Sequence, residues 1–335
     1  MSAPAPSVFS PEAFEWLERM ELAKGRPNLE IYAQTLMQLA ESDPSIIAVT
    51  SDSRGSGKLG PFGKAFPEQI IEMGIAEQNL VGVAAGLAST GFRVFATSPA
   101  CFLATRSLEQ IKNDVAYSDN AVVLVGISAG VSYGALGSTH HSLHDFAALR
   151  AINNLTILNP ADNFEAEHLV RLAAASRDPI YLRFGKAPLY DLPHKGTAFR
   201  IGEARVLREG TGIGFIATGE TVIHALLAAA VIEKQTGEAC RVLSIPSIRP
   251  LDEAAILQTT EQCKGVITVE EHMVHGGLGE ACAAIIAQRS RKRCPLKIMG
   301  IPDEYTVTGS QADIFRHYGL TCEGLVKAAN TLLTS

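Results

Sequence analysis

Glu77 lies in the stretch 70–91, IIEMGIAEQNLVGVAAGLASTG. This stretch passes from an extended apolar run through Gly74 into a helical pattern lined with Gly82, Ala84, Ala85 and Gly86. Such small side chains permit close approach of another backbone or a flat ligand. A carboxylate near the start of a helix is favoured by the helix dipole, and there it can accept a hydrogen bond or handle a proton; the plainer alternative is a solvated first-turn Glu. Three further positions carry chemistry. Asp52 follows the apolar run 46–49 in T-S-D-S, at the carboxyl end of a strand, where open α/β sheets hold ligands; a turn-forming Asp would look the same. Arg183 ends a strand in Y-L-R-F-G-K, and its planar fork suits an oxyanion or an ion pair. His140, His141 and His144 close a Gly-studded loop, 126–141, of a length that usually serves function. No carboxylate or Cys set accompanies these histidines at metal-ligand spacing, so no metal is assigned to them.

The elements that must position these groups alternate between buried strands and helices. Ser10-Pro11-Glu12 predicts a helix running to about residue 25, and a second helix follows Asn28 with Ile31, Leu36 and Leu39 turned inward. Strands are expected at 46–49, 93–96, 121–125, 155–158 and 180–184, with helices between them, which describes a doubly wound, mostly parallel sheet. Residues 186–199, with Pro188, Pro193 and Gly196, lack periodicity and read as a linker. From residue 200 to 335 strands at 213–217, 241–245, 265–269 and 296–299 alternate with helices in a smaller α/β domain. The organisation is therefore a helical extension (1–27), a domain (28–185), a linker and a second domain.

Composition narrows the class. The chain has 335 residues, 47% of them apolar and 19% charged, enough for two cores without disordered tails. A net charge of −6 gives no nucleic-acid footprint, and no apolar run is long enough to span a membrane. The start MSAPAPSVFS has no charged n-region ahead of an apolar run, so a cytoplasmic protein is expected. Six scattered cysteines, at positions 101, 240, 263, 282, 294 and 322, read as buried free thiols, Cys101 included.

G-I-A-E-Q-N around Glu77, T-S-P-A-C-F-L-A-T-R after it and G-S-T-H-H further on resemble the pyrimidine-binding domain of the transketolase family of thiamin diphosphate enzymes. The segment 269–280, V-E-E-H-M-V-H-G-G-L-G-E, resembles that family's carboxy-terminal domain, and the likeness covers almost the whole chain after residue 28. The resemblance implies that Glu77 hydrogen-bonds the cofactor's aminopyrimidine and supports the tautomer that takes the thiazolium proton. It implies a cofactor pocket of Asp52, Glu77, Phe102, Leu103 and Arg106. It further implies that His140 meets the donor carbonyl oxygen and that Arg183 holds a sugar phosphate. His141 and His144 have no counterpart and read as supporting residues.

Several positions depart from the family pattern. Its F-x-x-F-x-x-R falls on Ala100, Leu103 and Arg106, leaving Phe102 as the aromatic substitute. A second active-site His falls on Ser128, an Asp that reads a donor hydroxyl falls on Leu136, and an early Arg is missing near Ile31. A bulkier, branched or less hydroxylated donor fits these changes, which leaves room for apulose 4-phosphate or a sulfosugar. The chain also contains no Gly-Asp dipeptide, whereas the family binds diphosphate and Mg²⁺ through G-D-G and a later Asn. The resemblance thus implies the carboxy-terminal subunit of a split transketolase. A separate amino-terminal subunit would supply the diphosphate and Mg²⁺ half in an α2β2 assembly. The alternatives are the β subunit of a 2-oxo acid dehydrogenase E1 component and a non-catalytic scaffold.

Overall fold

The computed structural model describes residues 7–194 and 200–334. The first part of the chain runs α1 (Pro11–Arg19), β1 (Lys24–Pro27), α2 (Asn28–Ala40), β2 (Ile46–Thr50), α3 (Gly60–Ala65), β3 (Ile70–Glu72), α4 (Glu77–Ser89) and β4 (Arg93–Pro99). It continues through α5 (Ala100–Arg106), α6 (Leu108–Gln110), β5 (Val122–Ile127), α7 (Asp145–Arg150), β6 (Thr156–Leu158), α8 (Asn163–Ala175), β7 (Ile180–Phe184) and β8 (Pro188–Tyr190). The second part comprises β9 (Arg205–Arg208), β10 (Ile213–Ala217), α9 (Val222–Thr236), β11 (Arg241–Ser244), β12 (Ser247–Arg249) and α10 (Glu253–Gln262). It closes with β13 (Gly265–Met273), α11 (Leu278–Arg289), β14 (Leu296–Ile301), α12 (Gln311–Tyr318) and α13 (Cys322–Thr334).

The apolar runs that predicted strands become fully buried strands, because each has helices on both faces. They form a seven-stranded sheet of order β12-β6-β7-β5-β4-β2-β3. All its neighbours run parallel except β12, which pairs antiparallel with β6. The chain leaves β2 towards β3 on one side, while β4 leads to β5 on the other. The sheet therefore changes winding direction between β2 and β4, the place where open α/β sheets form a ligand crevice. Ser51 and Ser98 bridge those two strand ends by a 2.7 Å hydrogen bond. The second sheet has order β14-β13-β10-β11-β9, with β9 antiparallel.

Four segments differ from expectation. The first helix ends at Arg19 rather than near residue 25, since Gly25 and Pro27 belong to an extended strand instead. That strand, β1, pairs with β8, so part of the expected linker is a two-stranded sheet; residues 195–199 of that linker lie outside the described residues. The N-terminal helix packs Ala13 and Leu17 into the core of the second domain. In turn β12, from the second half of the chain, joins the first sheet. Finally, β13 runs four residues past 269, so Glu270, Glu271 and His272 are buried strand residues. Among the described residues no helix is long and apolar enough to cross a membrane.

Candidate active site

Glu77 is the first residue of α4, and Gly74, at φ 67°, turns the chain from β3 into that helix. Glu72 fixes the approach: its carboxylate accepts the Asp52 and Gly74 amides at 2.6 and 3.1 Å and the Thr50 hydroxyl at 2.7 Å. Burial alone would raise Glu72, but these three bonds, helped by Arg54, hold it below the usual carboxylate value. Leu80, Val81, Ala84, Ala85 and Ala88 bury one face of α4 in the core. The opposite face stays open, and a Cβ at Gly82 or Gly86 would meet nothing.

The Glu77 carboxylate is buried, and each of its oxygens accepts a hydrogen bond from Arg106 Nη1 at 3.1 Å. Arg106, half exposed at the end of α5, lies 4.0 Å over the Phe102 ring. From there side chains continue in contact along the carboxyl edge of the sheet. Phe102 meets the His140 ring edge-on at 5.3 Å, Tyr133 meets His140 at 5.5 Å, and Lys186 Nζ sits 3.7 Å from the Tyr133 ring centre. Thr139 Oγ1 bonds His140 Nδ1 at 2.9 Å and holds the imidazole in this row. Burial depresses Lys186 below the ordinary ammonium value and raises Tyr133.

The structure brings Glu77, Phe102, Arg106 and His140 together. Asp52, exposed at φ 49°, lies at the end of β2 on the same edge, and Leu136 is exposed on a turn of the 126–141 loop. Ser128 follows β5 at φ 55°, with its buried Oγ lacking a hydrogen-bond partner of ordinary geometry among the described residues. Two expected residues are placed elsewhere. Leu103 is wholly buried in the core, because α5 turns it inward while Phe102 faces His140, so it offers no surface to a cofactor ring. Arg183 is also buried: Nε bonds Asp145 at 2.8 Å, and Nη2 donates to the carbonyls of Ser142 and Glu271 at 3.0 and 2.9 Å. A guanidinium so engaged has little capacity left for a sugar phosphate. His141 ties the loop to the second domain, through Thr306 Oγ1 at 2.6 Å and the Gly134 carbonyl at 2.9 Å. Burial pushes the Cys101 thiol up to about 11, too high for a nucleophile at neutral pH.

Sequence reasoning missed Tyr133, Lys186 and Glu72. The only hint was Lys186, three residues after Arg183 and one past Gly185, where the strand has already left the core. The donor set suits an aminopyrimidine: a buried carboxylate at an open helix start, an aromatic face beside it, and an imidazole in reach of that face. Arg106 must leave at least one Glu77 oxygen for such a ring, and its half exposure permits this.

Fold and site define a two-domain α/β subunit with its chemistry on the open edge of a parallel sheet. Residues 27–190 match the transketolase pyrimidine-binding domain and residues 202–325 the transketolase C-terminal domain. One of the two subunits of the apulose-4-phosphate transketolase of Phocaeicola vulgatus is 46% identical over 89% of this chain and 95% of its own. The 6-deoxy-6-sulfo-D-fructose transketolase subunit SqwH of Clostridium sp. is 32% identical over 90% of this chain and 92% of its own. A solved structure, a split gene transketolase as an inactive beta4 tetramer, superposes with a TM-score of 0.84 at 33% identity, covering 92% of this chain and 99% of that one. The chain belongs to the transketolase family, in its split form, as the subunit carrying the pyrimidine-binding and C-terminal domains.

Proposed function

We propose that this subunit completes a thiamin-diphosphate-dependent transketolase with an amino-terminal partner. The enzyme would move a two-carbon ketol unit from a ketose donor to an aldose phosphate. The observation that carries this reading is the buried Glu77 carboxylate, which opens at the sheet edge beside Arg106, Phe102 and His140. When bound, the cofactor supplies the electron sink that stabilises a two-carbon carbanion. Glu77 would hold the aminopyrimidine by a hydrogen bond, with Phe102 against the ring and Arg106 displaced to its rim. His140, steadied by Thr139 and flanked by two aromatic rings, would donate to the donor oxygen that gains charge.

Lys186, rather than Arg183, would hold the anionic end of the sugar, since it is an exposed cation at the opposite end of the row from Arg106 and its hydration is already reduced by burial against Tyr133. Leu136 and Ser128 stand where polar readers of donor hydroxyls would be expected. Their apolar and small character supports a branched or sparsely hydroxylated donor such as apulose 4-phosphate, in keeping with the relative that is 46% identical. The diphosphate and Mg²⁺ would be held by the partner, because this chain has no Gly-Asp dipeptide. That division supports an α2β2 assembly, which we place in the cytoplasm.

Calorimetric titration of thiamin diphosphate with Mg²⁺ tests the division. Tight binding is expected only when this chain is mixed with its G-D-G-bearing partner. Tight binding by the isolated chain would refute the split site, and no binding by the mixture would favour a scaffold.

A further inference from the structure

Beneath the loop that carries Ser128, Tyr133 and His140 lies a pair of carboxylates that the proposed chemistry does not use. Glu271 comes from β13 and Glu220 from the turn Gly219–Thr221 after β10, so both belong to the second domain. A single nitrogen, Gln311 Nε2 at the start of α12, donates to Glu220 Oε2 at 2.6 Å and to Glu271 Oε1 at 3.0 Å. Glu271 Oε1 also accepts the Val131 amide of the active-site loop at 2.9 Å. The carboxylates press on glycines of the first domain. A Cβ at Gly130, where φ is 60°, would collide with the Glu271 carboxylate, and one at Gly185, next to Lys186, would collide with Glu220.

The charges around the pair do not balance. Arg183 from β7 faces it, but bonds directly to Asp145 of α7 and reaches Glu271 only at the backbone carbonyl. Burial works against Asp145 ionising, yet Arg183, His272 and the bonds from Arg183 and Tyr181 hold it below its usual value. His272, two positions from Glu270 on β13, is depressed to about 4 by burial and brings no charge at neutral pH. One guanidinium therefore faces three carboxylates, and among the described residues neither Glu220 nor Glu271 has an ion-pair partner. Two buried carboxylates on one donor are poorly able to ionise together.

We propose that Glu220 and Glu271 share a proton and act as a positioning pair, clamping the active-site loop and the Lys186 segment to the second domain. Loss of that proton then sets an alkaline limit on the site. The proposal rests on the ketol-transfer reading for its catalytic consequence, but not for its structural one. Burial, then repulsion by Glu271, pushes Glu220 up to about 8, and burial raises Glu271 in the same direction. The protonated form is the one the folded chain favours. Its stabilisation is complete below the ordinary carboxylate range and is lost as pH rises to about 8. Above that, two like charges lie under Gly130 and Val131, and the loop loosens.

Amide hydrogen exchange on the full chain tests the clamp without any activity measurement. After correction for intrinsic base catalysis, protection across 126–141 should fall several-fold between pH 7 and pH 9, while in Glu220→Gln it should stay level. Equal corrected protection at both pH values in the unmodified chain would overturn the proposal, as would an unchanged pH response in Glu220→Gln. If that variant fails to fold, Glu271→Gln and the unmodified chain decide by the same criterion. In the assembled enzyme, kcat should fall about tenfold per pH unit on the alkaline side, and Glu220→Gln should move that limb upward. Superimposable limbs would overturn the catalytic consequence. An inactive assembly with the expected exchange pattern would instead remove the ketol-transfer reading and leave the clamp standing.

Discussion

Two arginine–carboxylate pairs stand at the carboxyl edge of the same sheet and have opposite characters. In Arg106–Glu77 the arginine is 48% exposed, and both carboxylate oxygens depend on that one movable partner. In Arg183–Asp145 the exposures are 3% and 0%. There the guanidinium also holds two carbonyls and lies 4.6 Å over the Phe146 ring, while Tyr181 donates to Asp145 at 2.8 Å. The first pair retains hydrogen-bonding capacity that a ligand can claim. The second has exchanged that capacity for a fixed joint between two domains. The residue types are alike in both, so accessibility and the number of committed bonds separate a site from a structural knot.

The comparison is broken most directly by exchanging the outcomes of two substitutions. Glu77→Ala should lower kcat of the assembled enzyme by about a thousandfold or more, while the thermal midpoint measured by calorimetry moves little. Unchanged activity would remove Glu77 from the chemistry. Arg183→Met should do the reverse, costing about 3–5 kcal/mol of stability because Asp145 is left buried and unpaired. A denaturant titration would read that loss, and a normal midpoint combined with a raised KM for sugar phosphate would restore Arg183 to the substrate site. Lys186→Ala sharpens the contrast at a smaller scale: KM for a phosphorylated sugar should rise about tenfold or more with kcat largely kept, equivalent to about 1.4 kcal/mol. Equal KM values in steady-state assays would mean the anion is held elsewhere. Smallest of all, Arg106→Ala should change chain stability by no more than about 1 kcal/mol, as for other exposed ion pairs, and a larger drop in the melting midpoint would show that this pair, too, is structural.

The same contrast explains what could be read from residue order. Strands such as β2, β5 and β7 were legible because each is a continuous apolar run that only a sheet covered on both faces can bury. Glu77 was legible because helix start, glycine turn and small-residue face are local and contiguous. Short edge strands were not: β1, β8, β9 and β12 have three or four residues each, and their existence depends on partners far away in the chain. Leu103 and Arg183 were misplaced for a related reason. Motif alignment fixes which residue follows which, but the direction of a side chain depends on the helix face and on what packs above it.

Sequence by itself determined the two α/β domains, the family, the carboxylate at the start of α4 and the missing Gly-Asp. All of these follow from local periodicity, from motifs a few residues long or from simple presence. Tertiary structure alone decided that β12 crosses into the first sheet and that α1 packs on the second domain. It also decided that Arg183 is sealed while Lys186 is exposed, and that Glu220, Glu271 and Gln311 meet beneath the active-site loop. That last cluster rests on hydrogen bonds between residues 40 to 140 positions apart. Burial and electrostatic coupling arise only when the folded chain excludes water from them.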